Sequence, residues 1–273
     1  MSAAKNGADR VAMYFSALLL IVLYAFLYAP IAYIAFVSVS ANTAWPFPVN
    51  FSLEGFRLLL GGRAYQEALW NSLIIGFGTA LISTVLATLG AIAVLKYDSR
   101  FRYLVAFVMI TPLFTAELLV GISSLVFNRQ ILGLSGNIPS AILANSVHAI
   151  AFAFLVLLAQ LLRYNWRLDD AAMVFGARPV RCFWEVTLPN IWPAILGAFI
   201  IAFIMGFNNL EISFYNLGAS QTISTAAWGS LRHGMRPELP ALATLVNIVV
   251  LITFFVMFFL MHYRIASFGH REE

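Results

Sequence analysis

Residues 12–39 read AMYFSALLLIVLYAFLYAPIAYIAFVSV, a run with no Asp, Glu, Lys or Arg. A helix built from it would be apolar on nearly every side, which suits lipid rather than water. At more than 25 residues it exceeds the roughly 20 needed to cross a hydrocarbon core of about 30 Å. Outward from it, five further stretches pass the same test: about Ala68 to Leu95, Tyr103 to Phe127 interrupted by Glu117, Pro139 to Leu162, Ile191 to Leu217 with Glu211 inside it, and Pro240 to Tyr263. The expectation is an all-α membrane protein, residues 1–273 forming one domain of six transmembrane helices. Composition agrees, because 62% hydrophobic and 10% charged residues lie far from the roughly 45–50% and about 25% of soluble domains. Disorder is excluded by the same figures. One cysteine, Cys182, excludes a disulfide framework.

The N-terminal run has some marks of a secretory signal, since Lys5 and Arg10 precede it and Ser38-Val39-Ser40-Ala41 imitates a cleavage site. A signal core has only about 7–15 apolar residues, so the length favours an uncleaved anchor. With the N-terminus inside, Lys5, Arg10, Lys96, Arg100, Arg102, Arg163, Arg167, Arg178, Arg181, Arg264 and Arg271 fall on the cytoplasmic side. Only Arg57, Arg63, Arg129, Arg232 and Arg236 fall outside. That bias predicts two cytoplasmic termini. The net charge of +4 and pI near 9.4 therefore reflect topology, and no basic block suggests nucleic acid.

Two connections are long. The outer one, Ser40 to Glu67, reads as an extended stretch around Trp45-Pro46-Phe47-Pro48 followed by a short amphipathic helix near Leu53 to Leu60. The inner one, Arg163 to Asn190, reads as two short helices. Asp169 is expected to cap the first, Asp170 to Phe175, with Asp170 in its opening turn and Gly176 ending it. Pro179 would open the second, with Val180, Phe183 and Trp184 on one face, and Leu188-Pro189 would end it. Physically this is either a docking surface or a hairpin lying on lipid headgroups.

The spacing Asp170-Ala171-Ala172, three residues, Gly176, nine residues, Val186-Thr187-Leu188-Pro189 resembles the E-A-A-x3-G-x9-I-x-L-P signature of ABC importer permeases, with Asp for Glu and Val for Ile. Residues 116–123, 207–215 and 234–244 look like the spermidine/putrescine-type permeases, in particular their second permease subunit. The resemblance implies a six-helix type I ABC importer permease fold with cytoplasmic coupling helices. The implied ATPase-coupling residues are Asp170, Ala171, Ala172, Phe175, Gly176, Leu188 and Pro189. It implies as partners a homologous permease, two ABC ATPase subunits and a periplasmic or lipid-anchored solute-binding protein in the bacterial inner membrane. No cofactor is expected in this chain, ATP and Mg belonging to the ATPase, and the sequence has no G-x4-G-K-[ST] loop of its own.

Glu117 and Glu211 are the carboxylates well inside spans, where a charge costs about 2.5–3.5 kcal/mol or more. They either line a water-filled pathway with Asn208, Asn209 and Ser213, or are protonated or hydrogen-bonded between helices, with Asn208 or Asn209 as partner. Many polyamine-type permeases carry an acidic pair where this chain has Asn208 and Asn209, and prolines where it has Ala116 and Ala151. Amides supply no charge, so a polyamine, a zwitterion, an amino-acid derivative and another small organic cation all stay open as cargo.

Weaker features have ordinary readings. Gly133-Leu134-Ser135-Gly136 matches an intramembrane protease tetrapeptide, with His148 as a conceivable base, but reads as an outer turn. No histidine spacing suggests a metal. Gly76, Ala80, Ser83, Ala87 and Gly90 mark a close-packing face of the second span. A secondary transporter would be expected to show broken helices in both halves, and no such pair is evident.

Overall fold

The computed structural model describes residues 2–40, 50–97, 100–232, 234 and 236–269. The expected Trp45–Pro48 stretch lies outside them. Among the described residues the chain is helical, and its one β feature is a single bridge between Ser40 and Phe51. Five helices are long and apolar enough to cross a membrane: Met13–Ser38, Arg63–Lys96, Ile138–Leu161, Pro179–Asn208 and Glu238–Val256. A bent pair, Arg102–Phe114 and Glu117–Gln130, makes a sixth if counted as one span. The protein is thus an all-α, multi-pass membrane protein.

The chain forms two units. The first contains α1 (Ser2–Ser38), α2 (Glu54–Gly61) and the opening of α12 (Glu238–Gly269). Residues 13–34 of α1 are exposed on the chain by itself. In a bilayer that costs nothing, because acyl chains are as apolar as leucine. The expected amphipathic helix is α2, which buries Leu59 while exposing Leu58 and Leu60. The Ser52 amide donates to Val39 O at 2.8 Å, and Gly55 passes so close to Pro237 that a Cβ there would meet its carbonyl oxygen at 2.6 Å.

The second unit is built on α3 (Arg63–Lys96), α6 (Ile138–Leu161) and α9 (Leu188–Asn208), which pack on one another. Lipid provides no hydrophobic drive between helices, so close contact has to come from small residues. Ala80, Ala87 and Ala91 of α3, Ala149 and Ala153 of α6, and Ala198 and Ala202 of α9 supply it, with Phe154 and Leu157 filling the centre. Gly76 seats Phe203 and Phe207, and Gly90 seats Met109. The small-residue face of the second span therefore serves packing within this chain.

Around the trio lie α4 (Arg102–Ile110), a 3-10 turn (Thr111–Phe114), α5 (Glu117–Gln130), α7 (Arg167–Val174), α8 (Pro179–Cys182), α10 (Glu211–Asn216) and α11 (Ile223–Leu231). Two expected spans are interrupted. The third is not one helix from Tyr103 to Phe127 but bends by 111° before Glu117. Pro112, which lacks an N–H, tightens the chain into the 3-10 turn, and Ala116 is extended at ψ 135°. The fifth does not continue through Glu211 to Leu217. It ends at Asn208, because Asn209 is extended and its Oδ1 accepts the Ile212 amide at 2.8 Å, starting α10 afresh.

Candidate functional site

Two polar clusters stand out from the apolar bulk, one at the α6–α9 connection and one at the bend before α5.

At the connection, α7 begins three residues earlier than expected, at Arg167. Asp169 therefore does not cap the helix. It lies inside the first turn and is completely buried, turned towards the protein. Its carboxylate accepts from Tyr164 Oη at 2.7 Å, from Thr187 Oγ1 at 3.0 and 3.1 Å, and from the Lys96 ammonium. A buried carboxylate is tolerable only when paired and hydrogen-bonded in this way. Lys96 Nζ also lies 5.6 Å from the Trp166 ring centre, and Trp166 meets Tyr164 edge-on. Burial, then the hydrogen bond to Asp169, raises the Tyr164 hydroxyl pKa above its ordinary value. Cys182, nearly fully buried, places Sγ 3.7 Å from Asp169 O and fills a small gap.

Beyond this root the segment projects outward. Asp170 and Ala171 are exposed, and Val174 and Phe175 are 85% and 90% exposed. Gly176, with φ +89°, closes the helix: its amide donates to Met173 O and the Ala177 amide to Ala172 O. This paired arrangement favours glycine at that position. Val180 and Trp184 add exposed apolar surface.

Leu188-Pro189 does not end the second short helix. The chain runs from α8 through a π-helical segment, Phe183–Thr187, directly into α9. Pro189 lies in the first turn of α9, and its missing N–H is absorbed by the wider turn before it rather than by a break.

At the bend, Glu117 opens α5, where the helix dipole favours a carboxylate. Its Oε2 accepts from Asn209 Nδ2 at 2.7 Å, and its Oε1 is 3.4 Å from His148 Nε2. The Glu117 side chain is 39% exposed, whereas His148 and Asn209 are buried. Among the described residues His148 Nδ1 has no hydrogen-bond partner. Of the expected pathway residues, then, Glu117 and Asn209 meet. Asn208 is exposed, its carbonyl accepting Ser224 Oγ at 3.1 Å, and Glu211 is exposed on α10. Ser213 is fully buried and accepts Asn145 Nδ2 at 3.1 Å, as part of helix packing.

His148 is the member of this cluster that sequence reading set beside Ser135 as a conceivable base rather than beside Glu117, and its signal is a lone imidazole in the apolar run of α6. Its distance from Ser135 excludes a shared catalytic site. Ser135 precedes the Asn137 cap of α6, in a connection where Gly133 and Gly136 take positive φ, and His148 lies roughly 15 Å further along the helix.

Residues 86–267, more than half of the chain, match the family model described as the binding-protein-dependent transport system inner membrane component. The chain belongs to that family. The match takes in every residue of both polar clusters, Lys96, Tyr164, Asp169 and Thr187 as well as Glu117, His148 and Asn209. This inner membrane component is 28% identical over 246 residues to the putrescine transport system permease protein PotI of Escherichia coli K12, covering 87% of each chain. It is 25% identical over 231 residues to the spermidine/putrescine transport system permease protein PotC of Haemophilus influenzae, covering 84% of this chain and 90% of that one. In fold it is similar to a bacterial ABC transporter for the import of alginate, with a TM-score of 0.65 at 19% identity over 94% and 96% of the two chains. It is also similar to the MetNI methionine ABC transporter, with a TM-score of 0.62 at 18% identity over 78% and 99%. The protein is a permease subunit of a binding-protein-dependent importer and has the type I permease fold.

Proposed function

We propose that this subunit is the non-enzymatic half of a translocation pathway completed by a homologous permease, with both termini in the cytoplasm. Two cytoplasmic ABC ATPase subunits, which bind ATP and Mg, drive it. A periplasmic or lipid-anchored binding protein delivers the solute. The observation that carries this reading is the inner segment: Val174 and Phe175 stand almost fully exposed at the end of α7 while its root is locked to the membrane helices through Asp169. An exposed apolar tip on a fixed base is suited to insertion into a cleft, and Gly176 provides the turn that lets it enter. Closure of the ATPase pair would push on α7, and hydrolysis would release it.

The cargo is a polyamine or a related organic cation or amino-acid derivative. Glu117 supports this, as a partly exposed carboxylate at the bend whose orientation is set by Asn209 and His148. The names of PotI and PotC, which refer to putrescine and spermidine, point the same way. One carboxylate with amide neighbours suits one ammonium group at a time.

Co-expression with an ABC ATPase, a second permease and a binding protein from the source organism, affinity capture and uptake of labelled putrescine test the reading. An ATPase and a second permease should co-purify. Gly176→Asp should leave insertion intact and remove uptake. Uptake by this chain alone, without ATP, would overturn the proposal, as would normal uptake by Gly176→Asp.

A further inference from the structure

We infer that Asp169 is a positioning residue that ties the end of α3 into the same rigid body as α7 and the start of α9, so that load entering at α7 reaches three membrane helices together. This rests on the proposed coupling role of the inner segment.

Covalent continuity accounts for only part of that load path. Residues 162–166 link α6 to α7, and residues 175–187 link α7 to α9. The α3 helix has no such link; its last residue is Lys96, 73 positions before Asp169 in sequence. Lys96 reaches Asp169 Oδ2, while Thr187, the last residue of the π segment, donates its hydroxyl to the same carboxylate and Tyr164 donates from the α6 side. One side chain with 0% exposure thus holds groups from the ends of three spans and sits on the helix proposed to meet the ATPase. An exposed ion pair contributes little rigidity, since solvent competes for it. Here the carboxylate is enclosed and has four donor contacts, so freeing Lys96 leaves a buried charge short of its cation. The expected consequence is a mechanical slip between α3 and α7.

Spin labels at Tyr97→Cys and Arg178→Cys, both exposed positions, in a Cys182→Ser background measure that slip in the complete transporter. With Lys96 present, the 97–178 distance should be the same and narrow in nucleotide-free and ATP–vanadate-trapped states. In Lys96→Met it should broaden and differ between the two states. The ratio of solute moved to ATP hydrolysed should fall at least fivefold, while the ATPase still co-purifies. Lys96→Arg should restore both, and Thr187→Val should give a weaker version of the defect. An invariant distance with an unchanged transport ratio in Lys96→Met refutes the inference. If the variant merely accumulates poorly, with a wild-type distance and ratio per complex, the cluster is structural only and the inference also fails. Gly176→Asp in the same preparation separates the two claims: if it uncouples while Lys96→Met does not, only the role of Asp169 falls.

Discussion

Replacing Asn216 by alanine should destabilise the second unit by about 2 kcal/mol. Asn216 is fully buried. Its Nδ2 donates to Gly121 O in α5 at 3.0 Å, and its Oδ1 accepts from Asn128 Nδ2 in α5 and Ser140 Oγ in α6, both at 3.3 Å. A further bond, to Ile212 O at 3.0 Å, stays within its own helix. Interhelical hydrogen bonds in membrane proteins average about 0.6 kcal/mol, so three come to about 2 kcal/mol. The loss is not larger because Asn128 keeps Ser140 O and Oγ as acceptors. Ser146→Ala is the matched control. That serine is also buried, but its hydroxyl donates to Ile142 O of its own helix, and its loss should cost no more than about 0.5 kcal/mol. Equilibrium unfolding in mixed detergent and dodecyl sulfate micelles, followed by helical circular dichroism, measures both. If Asn216→Ala unfolds within 0.5 kcal/mol of Ser146→Ala, the network contributes no more than local bonding and the reasoning is wrong.

Gly206→Ala should cost about 1–3 kcal/mol, because its Cβ would meet Thr79 Cβ at 2.7 Å and that buried β-branched side chain has nowhere to turn. Gly197→Ala on the same helix, whose Cβ would find its nearest neighbour at 3.8 Å, should instead gain up to about 1 kcal/mol; the same unfolding assay compares them. The raised Tyr164 pKa means that the folded state holds its proton where the unfolded chain has lost it, so stability falls as pH rises above about 10. Tyr164→Phe should flatten that alkaline loss in thermal unfolding between pH 9 and 11, and an unchanged slope refutes the assignment. Glu117→Gln should lower putrescine uptake at least tenfold at unchanged membrane abundance, whereas full uptake would remove Glu117 from the pathway.

The spans were legible because crossing lipid demands length and apolarity, and both are local properties. Met13–Ser38, Arg63–Lys96 and Ile138–Leu161 appear close to where the sequence places them. The breaks were not legible for the same reason: hydropathy is blind to a change of direction. Pro112 and Asn209 each lie inside an apolar run, yet one removes an N–H and the other offers a capping oxygen. The opposite error occurred at Leu188-Pro189. A proline that reads as a stop is accommodated there by a π turn, which depends on the fully buried Thr187 being held by Asp169 across the segment.

The acidic residues show why composition alone could not assign roles. Asp169 reads as a helix cap and is enclosed inside the first turn, whereas Glu117 reads as a liability in the bilayer and is partly open. What separates them is the donors that tertiary structure brings to each. Asp169 has a formal positive charge and two hydroxyls from three other elements, enough to hold a carboxylate in a dry site as a fixed joint. Among the described residues Glu117 has one amide and a longer contact to an imidazole whose second nitrogen is unpaired, which leaves acceptor capacity on an accessible group. A saturated carboxylate can transmit force but has little left to offer a ligand. An unsaturated one at a helix break can exchange a protein donor for a solute donor as the pathway opens, and on that difference we propose mechanics for the first and contact with the solute for the second.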